Sequence, residues 1–125
     1  MSTNSTIAVK CTDGKFRGIY CHWDGYKEHH LPILKEYYNT QKLAEQLVSY
    51  GDMSCLDKFC TKPKGHSYDT PIDGYSIYYI RDRGETFDHL KTKEAKTFAE
   101  LSRKIGWQAY RYLFKNGEWK LQRLR

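Results

Sequence analysis

No run of about 18 consecutive apolar residues occurs in this chain, and Met1 to Lys10 lacks the apolar centre of a secretory leader. Both absences make a soluble, cytosolic protein the expectation, with no part for a membrane. Proline is scarce, no repeat or low-complexity segment breaks the chain, and 125 residues suit one domain, 1–125, around one core. A phosphate-cradling glycine loop is also missing, since "DGKFRG" reads as a hairpin turn. The four cysteines then read as thiols or metal ligands before disulfides, which a reducing compartment disfavours.

What the chain has is an uneven charge. From Leu101 to Arg125 seven basic residues (Arg103, Lys104, Arg111, Lys115, Lys120, Arg123 and Arg125) face one acid, Glu118, while the first hundred residues balance. A basic end fits an acidic partner such as nucleic acid, a nucleotide or an acidic protein surface, and equally a solvated face that keeps the protein dissolved.

Eleven tyrosines interspersed with charge suit strands with one wet face. "TIAVKC" and "FRGIYCHW" flank Asp13-Gly14, a two-residue turn signal that pairs Cys11 with Phe16 and Thr6 with Cys21. "LPILKEYY" carries Pro32 in a first turn and reads as a short helix. Thr40 caps "QKLAEQLVSY", with Leu43, Ala44, Leu47 and Val48 as its stripe and Gly51 as its stop. "YSIYYI" reads as a strand ended by "RDRGE". Thr97 and Glu100 form a capping box for a helix with Phe98, Leu101 and Ile105 on one side, ended by Gly106. A second hairpin turns at Asn116-Gly117. Its alternation puts Tyr110, Tyr112, Phe114, Trp119 and Leu121 on the core face and Arg111, Lys115 and Lys120 outside, around Leu113. The fold class expected is α+β: an antiparallel sheet of two terminal hairpins and a middle strand, with three short helices on one face.

Between Asp52 and Gly74 no period persists, and a loop this long needs something to hold it. It contains Cys55, Cys60 and His66, with "CTKPKGH" as a turn able to bring Cys60 and His66 round one ion. A structural zinc takes four ligands of this type, so Cys21 or His22 of "YCHWDGY" would complete the set. Adjacent strand residues face opposite ways, which makes both at once awkward unless the strand kinks at Asp24-Gly25. The alternative is a buried thiol and a loop-bonding histidine. Cys11, at the hairpin turn, reads as a small half-buried residue, and His29 and His30 as exposed or capping. Cysteine catalysis is disfavoured because Cys21 and its neighbour His22 have the wrong geometry on a strand, so no enzyme is expected. Arg81 and Arg83 of "RDRGE" either form a local ion-pair turn with Asp82 and Glu85 or present two guanidinium forks to phosphate or carboxylate.

Together "STIAVKCTDGKFRGIYCHWDGY", "LKEYYNTQKLAEQLVSYGDMSCL", "CTKPKGHSYDTP", "YYIRDRGE" and "YRYLFKNGEWK" resemble a family of small proteins encoded in bacteriophages and prophages, over Ser5 to Lys120. The matching positions are His22, Trp23, Asp24, Gly25, Cys60, His66 and Arg81 to Glu85. The resemblance implies an anti-CRISPR protein of the host bacterial cytosol that holds a metal ion. It would act without catalysis, by binding a Cas9-type effector protein and stopping target DNA from loading or being cut. The chain departs from the family at Cys55, where related sequences carry serine, and in "TFDHLKTKEAKTFAELSRKIGWQA", which leaves partner choice to that C-terminal helix region. Such an inhibitor, itself basic, needs an acidic or apolar patch on a basic effector. A basic module binding nucleic acid or a nucleotide through Arg81, Arg83 and the C-terminal strip is the alternative.

Overall fold

The computed structural model describes residues 3–122, so Arg123 and Arg125 of the basic end lie outside the described residues. β1 (Ser5–Lys10) and β2 (Phe16–Cys21) form the first hairpin, one residue out of the expected register. The Cys11 N–H donates to the Lys15 carbonyl at 2.8 Å and Gly14 takes φ 86°, which makes a three-residue loop. A left-handed glycine closing a three-residue loop is the bulged alternative to the two-residue turn. Lys10 therefore pairs with Phe16, and Ser5 with Cys21. A slip of one residue exchanges faces, so Ile7 lies opposite Ile19 and Cys21 joins their side of the sheet.

The second hairpin follows its sequence. β6 (Tyr110–Lys115) and β7 (Glu118–Gln122) turn at Asn116, φ 55°, and Gly117, φ 81°, the left-handed pair of a tight hairpin. Its placement differs from expectation, because β6 runs parallel to β1, with Thr6 opposite Arg111. β3 (Met53–Cys55) also lies parallel to β2, while β4 (Ile77–Tyr78) and β5 (Lys93–Ala95) are antiparallel additions. The sheet is thus mixed, in the order β4-β3-β2-β1-β6-β7, with β5 on β2. Two crossovers through helices, unforeseeable from strand patterns alone, produce the parallel pairs.

The helices occupy both faces of the sheet, not one. α1 (Lys27–Tyr37) and α2 (Gln41–Leu47) send Leu34, Ala44 and Leu47 into the main core with Ile7, Val9, Ile19, Tyr112, Phe114 and Trp119. α4 (Phe98–Ile105) covers the other face, where Leu101 packs with Ala8, Leu113 and Ala95. Leu113 is therefore core, although alternation assigns it to the wet side. Gly18 leaves room for this helix: a Cβ there would stand 2.9 Å from Leu101 Cδ2. The expected caps form, since Thr40 accepts from the Leu43 N–H and Thr97 from the Glu100 N–H, each at 3.1 Å.

Two elements depart from their local signals. α1 begins at Lys27, four residues ahead of the apolar pattern, so Pro32 lies inside the helix and His30 is buried. Tyr26 supplies no side-chain cap, and "KEHH" has no apolar period to announce a helix. Only Ile77 and Tyr78 of "YSIYYI" are strand, because α3 (Tyr79–Arg83) follows at once and Gly84, φ 80°, ends it. Asp82 accepts the Tyr78 N–H at 2.8 Å, and this local bond overrides the strand preference of the tyrosines. Among the described residues, no helix is long and apolar enough to cross a membrane.

Candidate functional site

The long loop is held by hydrogen bonds that converge on "RDRGE". His66 Nδ1 accepts the Ile72 N–H at 3.0 Å, which leaves the proton on Nε2. That nitrogen donates to the Ser76 carbonyl at 3.1 Å and stands 3.5 Å from Asp82 Oδ2. Asp82 also receives two guanidinium bonds from Arg81, at 2.8 and 3.0 Å. Burial alone would push its carboxyl up; the Arg81 bonds and the Tyr78 N–H instead hold it below the usual carboxylate range. Arg81 Nη1 then donates to the Cys60 carbonyl at 2.5 Å, and the guanidinium lies 4.8 and 4.7 Å from the ring centres of Tyr50 and Tyr78. Every nitrogen of the fork has an internal use, so Arg81 is a strut between loop and sheet. Arg83 pairs with Glu85 at 3.2 Å and covers the Tyr68 ring, leaving it the more exposed of the two.

The end of the first hairpin is a second junction. His22 and Trp23 donate backbone N–H bonds to Met53 and Ser54, and the Gly25 N–H reaches the Thr3 carbonyl at 2.7 Å. Tyr112 Oη donates to the Gly25 carbonyl at 2.5 Å. Asp24 takes φ 57°, and a Cβ on Gly25 would sit 2.8 Å from the Asn4 backbone, so this turn tolerates little else. Cys21 points into the core, where its thiol lies 3.6 Å from the Trp23 carbonyl, while His22 points outward to Tyr20 Oη at 3.1 Å.

These positions decide how well the proposed zinc ligands fit. Cys21 and His22 diverge, both His66 nitrogens are bonded internally, and burial pushes the Cys21 and Cys60 thiols up. Among the described residues, no three His, Cys, Asp or Glu side chains gather as a metal cluster. Cys21, His22, Cys60 and His66 do not fit one ion, and the loop has another support. Burial likewise raises Cys11 and Cys55, so none of the four thiols has the lowered pKa of an activated nucleophile.

The basic side is the opposite case. Arg111 is half-buried beneath α4, while Lys115 and Lys120 are exposed farther along the second hairpin. Lys120 stands 3.6 Å from Glu118; among the described residues, no acid pairs with Arg103, Arg111 or Lys115. Between α4 and β6 lies a cleft of about 370 Å³ lined by Ser102, Arg103, Trp107 and Arg111 among others. Trp107 is 78% exposed, the most open large apolar side chain described. In the sequence Arg103 shows only as charge, and nothing in the local pattern marks Ser102 or Gln108. A tryptophan directly after the helix-ending Gly106, outside any apolar period, was the available signal.

The architecture defines an α+β protein: a mixed seven-stranded sheet with helices on both faces, joined to a polar clasp and an open basic cleft. No protein-family model, curated protein or solved structure matches this chain at a significant level.

Proposed function

We propose that the protein acts by binding, without catalysis, an anionic partner on the side formed by α4, β6 and β7. The observation that supports this most is the division of its chemistry. The thiols and the buried histidines are committed to internal bonds or packing, whereas Arg103 and Arg111 line one cleft, with Lys115 farther along β6, and none of the three has an acidic partner among the described residues. A basic surface of this kind draws nucleic acid through its phosphates, with affinity that falls steeply with salt. Titration of the native chain against labelled single and double strands, at rising salt, tests it. The expected result is binding that weakens by at least tenfold between about 50 and 200 mM salt; a flat titration at the lowest salt removes the reading.

The phage counter-defence role has a different support. Gly25, Arg81 and Asp82, central to the motifs that resemble the phage family, are residues this fold needs, so a likeness there favours a shared scaffold. The unmatched segment from Thr86 to Ala109 supplies the exposed Phe87 and Trp107 and the cleft-forming helix, where partner choice would reside. In this second reading the protein inhibits a Cas9-type effector by docking on the effector protein. Co-migration with the effector on a sizing column and reduced DNA cleavage are expected. Full cleavage in the presence of excess protein, with no complex, would end it.

A further inference from the structure

Four buried polar atoms in the described residues have no hydrogen-bond partner: Thr6 Oγ1, Ser102 Oγ, Gln108 Oε1 and Arg111 Nε. Polar atoms are rarely left so, because each forfeits its bonds to water. Two of the four, on Ser102 and Arg111, belong to residues that line the α4–β6 cleft, and Thr6 and Gln108 neighbour those two. Thr6 is the register partner of Arg111 across the parallel β1–β6 pair, and Ala8 and Leu113, two residues on along each strand, pack beneath α4. Strand alternation thus turns Thr6 and Arg111 toward the same helix. Ser102 is on that helix, 5% exposed, and lines the cleft with Arg111; Gln108, 1% exposed, is tied to it by a 3.3 Å bond from Nε2 to the Ser102 carbonyl. That bond fixes which way the amide points and leaves its oxygen without a donor.

All four atoms are shielded from solvent, so a ligand in the cleft would meet directly the exposed part of Arg111 rather than these atoms. Arg103 adds a second cation at the rim, and Trp107 an exposed indole on the same cleft. Two guanidinium groups on one cleft suit a phosphate, and an open indole face suits a stacked base. We infer that the α4–β6 cleft is the site of one nucleotide unit, its base on Trp107 and its phosphate on Arg111 and Arg103. This rests on the reading of the protein as a binder of an anionic partner and gives that reading a location and a ligand chemistry. The unit has two sources, a free mononucleotide or one residue of a single strand.

The test uses the full chain with four probes: adenosine monophosphate, inorganic phosphate, a thymidine strand of about ten nucleotides, and a duplex of the same length. Expected is binding of the mononucleotide or the strand above phosphate alone and above the duplex, with quenching of tryptophan fluorescence that W107F abolishes. Saturation by the mononucleotide identifies a free nucleotide as the ligand, and strand binding without it identifies the strand. Trp107→Ala should weaken binding about tenfold or more, and Arg111→Gln should make the salt dependence shallower by about one phosphate contact. If instead W107A and R111Q bind as the native chain does while K115A/K120A loses binding, the site is overturned and the basic-binder reading survives. Preference for the duplex, or binding of phosphate equal to that of the nucleotide, also overturns it. Absence of binding to any probe removes both.

Discussion

The loop around His66 and the cleft beneath α4 are both built from polar residues at the margin of a core, and they end in opposite states. Round His66 each donor meets an acceptor: Asp82 takes Arg81 and the Tyr78 N–H, Ser76 Oγ joins the Asp57 backbone at 2.8 and 3.1 Å, and Tyr38 Oη reaches the Asp57 carbonyl at 2.8 Å. Beneath α4 four polar atoms meet nothing. A satisfied network rigidifies, whereas buried polar atoms without partners cost stability. The residues that look most chemical in this sequence, cysteine and histidine with "RDRGE", therefore serve the fold, while the less conspicuous Arg103 and Trp107 face outward at the cleft.

The largest expected effect comes from breaking the satisfied side. Asp82→Ala removes an acceptor used by Arg81 and the Tyr78 N–H and leaves a cation half-buried, at a cost of about 3–5 kcal/mol in urea unfolding, with new proteolysis in the loop around Pro63 to Thr70. A variant as stable as the native chain would show that the clasp is incidental. Asp52→Asn comes next. Burial raises the Asp52 carboxyl to about 6, so the folded chain binds its proton more tightly than the unfolded chain, and stability falls as pH rises from about 4 to 6. Asparagine keeps an acceptor for the Tyr20 N–H and removes that slope, which should raise stability at pH 7 by up to about 3 kcal/mol. The test is the difference in unfolding free energy between the two proteins across that pH range.

His30 gives a slope of the other sign. Burial, helped by the neighbouring His29, lowers its pKa to about 3, so the folded chain keeps it neutral and stability is lost as pH falls below about 6.5. His30→Gln should flatten the acid limb, read in the same series. Gly25→Ala is expected to cost about 1–3 kcal/mol, since the added methyl meets the Asn4 backbone, which cannot swing aside. At the small end, Trp107→Ala should change stability by no more than about 0.5 kcal/mol while altering binding, which sharpens the contrast between the two regions. Chelator should leave the melting temperature where it is, because the bonds described above hold the loop; a fall in Tm would restore a metal to that site.

Much of the secondary structure was legible because its signals are local. Thr40, Thr97 and Asn116-Gly117 act within a few residues of themselves, and each cap or turn forms where the sequence places it. Propensity and period failed where specific hydrogen bonds, near or distant in sequence, outweighed them. The tyrosines of "YSIYYI" favour a strand, and Asp82 turns Tyr79 to Arg83 into a helix by binding the backbone behind it. His30 carries no mark of burial in sequence, yet it bonds Ser5 Oγ at 2.9 Å from 25 residues away. The candidate site was legible only in its charge. Alternation correctly turns Arg111 away from the main core, and α4 covers part of the face it lies on.

From sequence alone came the α+β class, the caps, the second hairpin and the inward face of Tyr112, Phe114 and Trp119, all consequences of backbone period and short-range hydrogen bonding. The tertiary structure decided that β6 runs parallel beside β1, that α4 crosses to the second face, and that Thr6, Ser102, Gln108 and Arg111 meet there. Residues more than a hundred positions apart, as Thr6 and Arg111 are, share no local signal. Only the parallel pairing of β1 with β6 sets them side by side under the second face of the sheet.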